Sequence, residues 1–500
     1  MHETSSSPHW LVGIDLALKS KHKVAIVDRR TGRRVRRSVS IGRDYAGAEQ
    51  LVALLSPAAS AAVVLEPTGN LWRPLAAVLI AAGYPVYLVS TTKVARLRKA
   101  LSAYAKSDRI DAETLARLLL VDPDGLDRLC LPETEGARLR DLVRHRDRLA
   151  EEASDRKRRI QSLIAQLSPT LMEALGEEKF LPAYRALLRR YLEPNVVVRL
   201  GTKRLHTFLA RRYRGVFDPE RTQRIFDAQC SAAQFLAAQD AEHRPFDPTQ
   251  IQLEVSLELD LLEAIERQQG LLEERIAKLY RQLDPEGLLL SLPGFGPLIA
   301  AGVLGETGAL ERFANVGSYR GYVSLVPRYN QTGTSKNPHQ RLRKAGPRLL
   351  KKYFYLAAEG ARQQDLELAA FYTRLRRRGN SHDQAVCAVA NKLAGRAYAV
   401  LRRRTEPEKR PYRFRDLAGR TIAPADAKKR VQEEFPGPAA QKRQEAARAT
   451  AARGEKEEKV GRPSPACARP PKDASSRRTN APHPISDVLR EHFPELGADP

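Results

Sequence analysis

The chain has 500 residues, and 85 Lys and Arg against 59 Asp and Glu leave a net charge of +26 and a pI near 10.1. At about 150 residues per domain the length suggests some three domains, and a hydrophobic share of 42% with a mean hydropathy of −0.45 describes solvated domains with real cores. No apolar run approaches the ~20 residues that span a bilayer, and the opening MHETSSSPHW lacks the order of a secretory signal. Cys130, Cys230, Cys387 and Cys467 lie far apart with no CxxC pair, so neither a disulfide framework nor a zinc knuckle is indicated. The expectation is a cytosolic, reduced protein with no membrane partner, whose charge is matched to nucleic acid.

Residues 10–28 read as two strands joined by a turn, with Leu11, Val12 and Ile14 leading into Asp15. A third strand is expected near Val35–Ile41, a helix over 45–56, a buried strand in 61–69, a helix over 71–82 and a strand over 84–90. This alternation describes an α/β layer. The pattern is helical again over 93–121, and 136–166 is a long Arg-rich helix. The stretch 251–261, IQLEVSLELDL, alternates as a strand would, but it runs into helical spacing at Leu262, Ile265, Leu272, Ile276 and Leu279, and the whole is read as helix. Two such helices suit an antiparallel spacer or coiled coil; 170–250 is mixed helix and loop. A second globular unit covers 285–404, residues 405–436 form a partly ordered extension, and 437–500 read as a disordered, basic-leaning tail.

Four acids stand where this layout could gather them. Asp15 and Glu66 end apolar strands, and Asp108 and Asp111 are three apart on one helical face. Such a set suits two divalent cations, because Mg²⁺ takes oxygen ligands and a metal pair clamps both oxygens in phosphodiester chemistry. Each acid alone serves equally as a turn former or helix cap. Gly294 and Gly296 precede an apolar helix in SLPGFGPLIAAGVL, like the hairpin of a helix-hairpin-helix, where free N–H groups hold phosphate. The polar segment 327–348 carries Arg328, Lys336, Arg341, Arg343, Lys344 and Arg348 among the hydroxyls of Thr332, Thr334 and Ser335. A hydroxyl among cations can attack a phosphodiester, although most such hydroxyls bond local backbone. His382 reads as a cap or packing residue, and Cys387, Tyr353, Phe354 and Tyr355 as core.

LVGIDL, VVLEPTG and KSDRIDAETLARLL, followed by SLPGFGPLIAAGVLGETGALERFANVGSYRGYVSLVPRYNQTG and LRKAGPRLLKK, resemble one family. It is the insertion-sequence transposases with an N-terminal DEDD domain and a C-terminal serine domain, relatives of the Piv-type invertases and of bridge-RNA-guided recombinases. The resemblance covers 10–125 and 285–404, and the 136–284 spacer loosely. It implies an α/β ribonuclease-H-like (RuvC-like) first domain, a helical coiled-coil spacer and a mostly α transposase domain. It places Asp15, Glu66, Asp108 and Asp111 on the DEDD metal ligands for two Mg²⁺, and implies a covalent protein–DNA intermediate. The partners it implies are donor and target DNA, a structured noncoding guide RNA, and further copies of the chain in a tetramer, working in the cytoplasm on the nucleoid. Pairing by a guide RNA would leave the protein only backbones to hold.

One position departs from the pattern. Where the family has serine before glycine, PRYNQTG has Thr332, whose methyl stiffens χ1 and crowds an in-line approach; Ser335, three residues on, is the fallback. Two rival readings follow: a non-catalytic nucleic-acid-binding protein derived from such an element, and a metal-dependent nuclease that works through water and leaves no protein on the DNA.

Overall fold

The computed structural model describes residues 8–436, apart from 68, 90–93, 96, 98–107, 124–125, 127, 130–133, 177–178, 214–216, 240–243, 245, 326–330, 333–334, 337–345 and 405–408. For 59, 108–110, 134, 212, 331–332 and 335–336 the description is of backbone alone. The chain divides into two compact units, Met1–Pro132 and Glu133–Pro500.

The first unit is built on a five-stranded mixed sheet in the order β3-β2-β1-β4-β5. The strands are β1 (Trp10–Asp15), β2 (His22–Asp28), β3 (Val39–Ile41), β4 (Ala61–Leu65) and β5 (Val86–Leu88). β1 to β3 form an antiparallel meander, whereas β4 runs parallel to β1 and β5 parallel to β4. Parallel neighbours need a crossover, and α1 (Tyr45–Leu55) and α2 (Trp72–Ala81) provide the two. α1 starts where the Asp44 carboxylate accepts from Gly47 N–H, an N-cap.

Alternation along the strands sorts two cores. Val12, Ile14, Val63 and Leu65 pack with Leu51, Leu55 and Leu79 of α1 and α2. Leu11, Ala62 and Val64 face the other way, onto Leu115 and Leu119 of α3 (Asp108–Val121). Each such aliphatic side chain contributes roughly 1.5–3 kcal/mol when fully buried. The third strand is shorter than the pattern 35–41 suggests, because the chain bends over 35–37 after a single bridge of Arg34 to Val27, and ladder pairing with β2 resumes only at Val39. Of the helical pattern 93–121, most of the first half lies outside the described residues.

Among its described residues the second unit is helical apart from one short hairpin. α4 (Thr134–Leu167) and α10 (Pro248–Leu283) lie side by side, with the start of one beside the end of the other. Arg146 reaches Glu273 (2.6 Å), Arg156 reaches Glu258 (3.0 Å) and Lys157 reaches Glu266 (3.4 Å). These half-exposed pairs each contribute little stability, so their value is in setting the register.

The two long helices are shared between two cores. One joins Ile160, Ile164, Ile251, Val255 and Leu259 to α5 (Leu171–Leu175), α6 (Pro182–Tyr191), α7 (Pro194–Leu200), α8 (Thr202–Arg212) and α9 (Pro219–Ala237). The other joins Leu139, Val143, Leu272, Ile276 and Leu279 to α11 (Pro297–Thr307), α12 (Val316–Val323), α13 (Arg348–Ala361) and α15 (His382–Arg403). α14 (Leu366–Arg377) and α16 (Pro424–Glu434) complete the unit.

The alternating stretch 251–261 is helical throughout, and the alternation has a helical meaning. Residues four apart share a face, so Ile251, Val255 and Leu259 are buried while Leu253, Leu257 and Leu261, the intervening set, are at least half exposed.

Candidate active site

Asp15 is the last residue of β1, and Glu66 follows the last residue of β4. The strands are parallel, with Ile14 beside Leu65, so the two acids leave the same end of the sheet on neighbouring strands. Alternation puts Asp15 on the face of Leu11 and Gly13, and Glu66 on the face of Ala62 and Val64. Both therefore stand on the side covered by α3.

Gly13 explains how α3 reaches them. A Cβ at this position would lie 2.0 Å from the Ala112 carbonyl oxygen, 2.4 Å from Ala116 N and 2.8 Å from Leu115 Cβ. The helix backbone rests directly on the strand, which only glycine permits. Leu120, near the other end of α3, lies by Gly32, past the end of the β1–β2 pair that holds Trp10 and Asp28. The first turn of α3 accordingly points toward Asp15. Asp111 immediately precedes Ala112, and Asp108 is the first residue of the helix. Asp108, Asp111, Ala112, Leu115 and Ala116 form one helical stripe.

The structure thus brings Asp15, Glu66 and Asp111 to one edge, with the Asp108 backbone a turn further on; the Asp108 side chain is outside the described atoms. Among the described residues no three His, Cys, Asp or Glu groups are gathered closely enough to hold an ion as they stand. The chemistry of the set, carboxylate oxygens alone, fits a hard cation such as Mg²⁺ and not a soft metal.

Two residues at this edge were not singled out from sequence. Lys23 is the register partner of Asp15, and its Nζ donates to Ser40 Oγ at 2.8 Å. His22 is buried, and its Nδ1 accepts from Ala17 N–H at 3.1 Å, which holds the turn after Asp15 and fixes the proton on Nε2. Burial, then the Arg43 charge, lowers the His22 pKa below 6.5. The signal that could have found Gly13 was a glycine inside an apolar strand.

In the second unit, Asp284 organises the approach to Gly294. Its buried carboxylate accepts from Tyr280 Oη (2.5 Å) and from the N–H groups of Leu288 and Leu289 (both 3.1 Å). Gly294 has φ +76°, and a Cβ there would lie 2.0 Å from Ala357 O. Its N–H donates to Gln364 Oε1 at 2.9 Å. Gly294 therefore serves packing against α13, and the N–H groups open to a phosphate are those of the first turn of α11. Gly296 is the N-cap of that turn and makes no side-chain cap; Pro297 follows it. Arg144 holds the other end of α11, donating to the buried Glu306 through Nε (2.5 Å) and Nη2 (2.8 Å).

The polar segment begins and ends at one point. Ser324 is left-handed at φ 59°, and Gly346, φ +86°, sits so that a Cβ would meet Tyr322 O at 2.0 Å and Ser324 Oγ at 2.7 Å. Between them a hairpin pairs β6 (Gln331–Thr332) with β7 (Ser335–Lys336). Thr332 and Ser335 are direct register partners across it. Lys336 is described by backbone only, Arg348 opens α13, and Arg328, Arg341, Arg343 and Lys344 lie outside the described residues.

His382 follows the N-cap Ser381 and packs, Nδ1 to Tyr372 Oη (2.8 Å) and Nε2 to Glu359 (2.9 Å). Burial raises the Glu359 pKa, but hydrogen bonds from His382 and Arg362 outweigh it and hold the carboxyl below its usual value. Burial pushes the Cys387 thiol up to about 12, which makes it inert core. Tyr353, Phe354 and Tyr355 are buried as well. Among the described residues no helix is long and apolar enough to cross a membrane.

A mixed sheet with acids at one edge precedes a helical unit, and a transposase family model matches each of these two parts of the chain. Residues 12–169 match the DEDD transposase family of IS110, described as "Transposase", and residues 286–382 match "Transposase IS116/IS110/IS902 family". The uncharacterized 43.6 kDa protein of insertion element IS110 from Streptomyces coelicolor is 28% identical over 330 residues, 66% of this chain and 78% of its own length. The uncharacterized 44.8 kDa protein of IS116 from Streptomyces clavuligerus is 26% identical over 68% of this chain and 82% of its own. For the uncharacterized 42 kDa protein of IS900 from Mycobacterium paratuberculosis the values are 26%, 79% and 96%. The chain belongs to this family of insertion-sequence transposases with an N-terminal DEDD domain.

Proposed function

We propose that the chain cuts and joins DNA by Mg²⁺-dependent strand transfer through a hydroxyl nucleophile, on a first unit of ribonuclease-H type. The observation that carries this reading is the edge where Asp15 and Glu66 end adjacent parallel strands under the helix of Asp111. The strand order, an antiparallel meander extended by two parallel strands, supports the fold. Asp15, Glu66, Asp108 and Asp111 would hold the metal, which supplies charge neutralisation at the scissile phosphate and an activated hydroxyl. Thr332 Oγ would attack phosphorus as the P–O bond to the departing sugar oxygen breaks, the hydroxyl proton passing in net to that oxygen, so that the strand remains esterified to the protein. Ser335 takes this role if Thr332 does not. Lys336, Arg348 and the α11 N-terminus at Gly296 steady phosphates, together with Arg328, Arg341, Arg343 and Lys344, while Gly294 supports the turn. A noncoding RNA supplies sequence by pairing, which suits a chain of charge +26. The exposed face of Leu253, Leu257 and Leu261 supports assembly with further copies, up to a tetramer on cytoplasmic, nucleoid DNA.

The test is a two-plasmid recombination assay with the native flanking noncoding DNA, comparing the parent, Thr332→Ala and Asp15→Asn. Junctions from the parent alone establish the enzyme, its nucleophile and its acid. Junctions from Thr332→Ala transfer the nucleophile to Ser335, and junctions from Asp15→Asn defeat the metal assignment. Silence from the parent and from Thr332→Ser, with RNA still co-purifying, favours the non-catalytic binding protein. Cleaved ends free of protein favour the water-dependent nuclease.

A further inference from the structure

The extension after α15 is tied down where composition alone promised only partial order. Tyr412 N–H donates to Ser291 Oγ (2.8 Å) and Tyr412 Oη donates to the buried Asp365 (2.7 Å). Lys409 pairs with Glu286 (2.7 Å), and Phe414 is buried. Asp416 accepts from Ala418 N–H (3.0 Å) and Arg420 N–H (2.8 Å), forming the turn that sends the chain back toward α16.

This strap borders a half-open cavity of about 320 Å³ whose lining includes Arg396, Arg403, Arg410, Arg413 and Arg415 together with one carboxylate, Glu367. Arg396 is set by Asp365 (3.1 Å) and by Glu367, and its guanidinium lies 5.1 Å from the centre of the Tyr412 ring. Along the strap, Phe414 and Asp416 turn inward while Arg413 and Arg415 are exposed. Residues two apart on such an alternating chain are about 6.6 Å apart. Among the described residues no ion pair engages Arg403, Arg413 or Arg415. Arg403, Arg413 and Arg415 thus gather like charges at one place with no ion pair of their own among the described residues, and planar guanidinium forks match phosphate oxygens.

We propose that this cavity binds the phosphodiester backbone of a nucleic-acid strand, with residues that neither the acid edge nor the 326–345 segment uses. The inference rests on the reading of the chain as a nucleic-acid enzyme and adds to it a second place of hold. Arg396 forms the preset floor; Arg403, Arg413 and Arg415 engage successive phosphates.

The test titrates the full chain with a short fluorescent single strand of DNA, the same RNA, and a duplex, over a range of salt. In Arg403→Gln/Arg413→Gln/Arg415→Gln the slope of log K against log salt should fall in size by about 2 on single strands, since each phosphate contributes about 0.7. Affinity should fall about tenfold or more at moderate salt. Loss on DNA alone or RNA alone assigns the strand. Glu367→Gln should bind more tightly, a gain that misfolding cannot imitate. Unchanged slopes and affinities in both variants with every probe overturn the proposal. Asp15→Asn should keep the parental slope while losing strand transfer, so failure of the catalytic reading and failure of the pocket are read on separate axes.

Discussion

The acid edge and the basic surfaces of this transposase are built by opposite means. Asp15 and Glu66 leave neighbouring strands in matched register, and the helix of Asp111 rests on bare backbone at Gly13. Its cations instead stand at the start of α13, on a segment closed at Ser324 and Gly346, and on a strap after α15. The difference follows from what each has to hold. Under the proposed function the acids would hold a metal, whose ligands must lie within about 0.2 Å of their proper distances; matched strand ends bring Asp15 and Glu66 to one edge, and ion binding would have to draw the acids closer. Attraction to phosphate falls off only as the inverse of distance, so long flexible side chains suffice.

The largest effect should come from breaking the tight construction at Gly13. Gly13→Ala puts a methyl against Ala112 and Ala116, and α3 must move as a whole because the obstacle is backbone. Overpacking of this kind costs about 1–3 kcal/mol, and an ångström of displacement at the acids costs strand transfer about 100-fold. Gly294→Ala faces a similar clash with Ala357 O and adds an unfavourable φ. It should destabilise the second unit to a like degree and, by shifting the turn before Gly296, weaken oligonucleotide affinity while leaving the acid edge in place. Calorimetry together with strand-transfer and binding assays separates the two. Parental strand transfer by Gly13→Ala would contradict the account of the edge.

A middle-sized effect is expected at Arg144. Glu306 is buried, and its carboxyl oxygens accept two hydrogen bonds from this guanidinium, whose side chain is 45% exposed. Breaking a fully buried pair costs 3–5 kcal/mol; with one partner in water, Arg144→Met should cost about 2 kcal/mol. Arg144→Met/Glu306→Gln should recover part of it, since no bare carboxylate remains buried. An equal loss in the single and double variants would show that packing of the arginine stem, not the charge pair, holds α4 to α11.

Much of the first unit was legible because strands declare themselves by apolar runs and their ends by Asp15 and by Glu66–Pro67. What was not legible is the mutual placement of those ends, which depends on a crossover and on a helix whose close approach is marked only by Gly13. Of the helices between α4 and α10, the short ones that begin at proline or end at glycine, such as Pro194–Leu200, carry too few turns to show a period. In 251–261 two apolar faces produced an alternation that imitates a strand. The arginine pocket was invisible for another reason: Arg396 and Arg413 line one cavity because Tyr412 ties the strap to Ser291 and Asp365, far away in sequence. His382 could be read locally, since Ser381 and Gln384 form a capping box around its own turn.

The smallest effect concerns pH and returns to the acid edge. His22 is buried beside the turn that follows Asp15, and its native pKa is lowered from 6.5, first by desolvation and then by Arg43. The unfolded chain therefore takes up a proton near pH 6.5 that the native chain still refuses. Stability from this group is complete above 6.5 and is lost as pH falls from there through the lowered native value. Protonation would also compel Nδ1 to release the N–H of Ala17 that it accepts, loosening the turn from Asp15 to β2. Strand transfer should accordingly weaken in the same window as stability. His22→Gln removes the titration, so its melting temperature should run level between pH 7 and 5.5 relative to the parent, after allowance for the common drift of the carboxylates. If the parent and His22→Gln fall in parallel over that range, the pH response belongs to the acids themselves and His22 is a spectator.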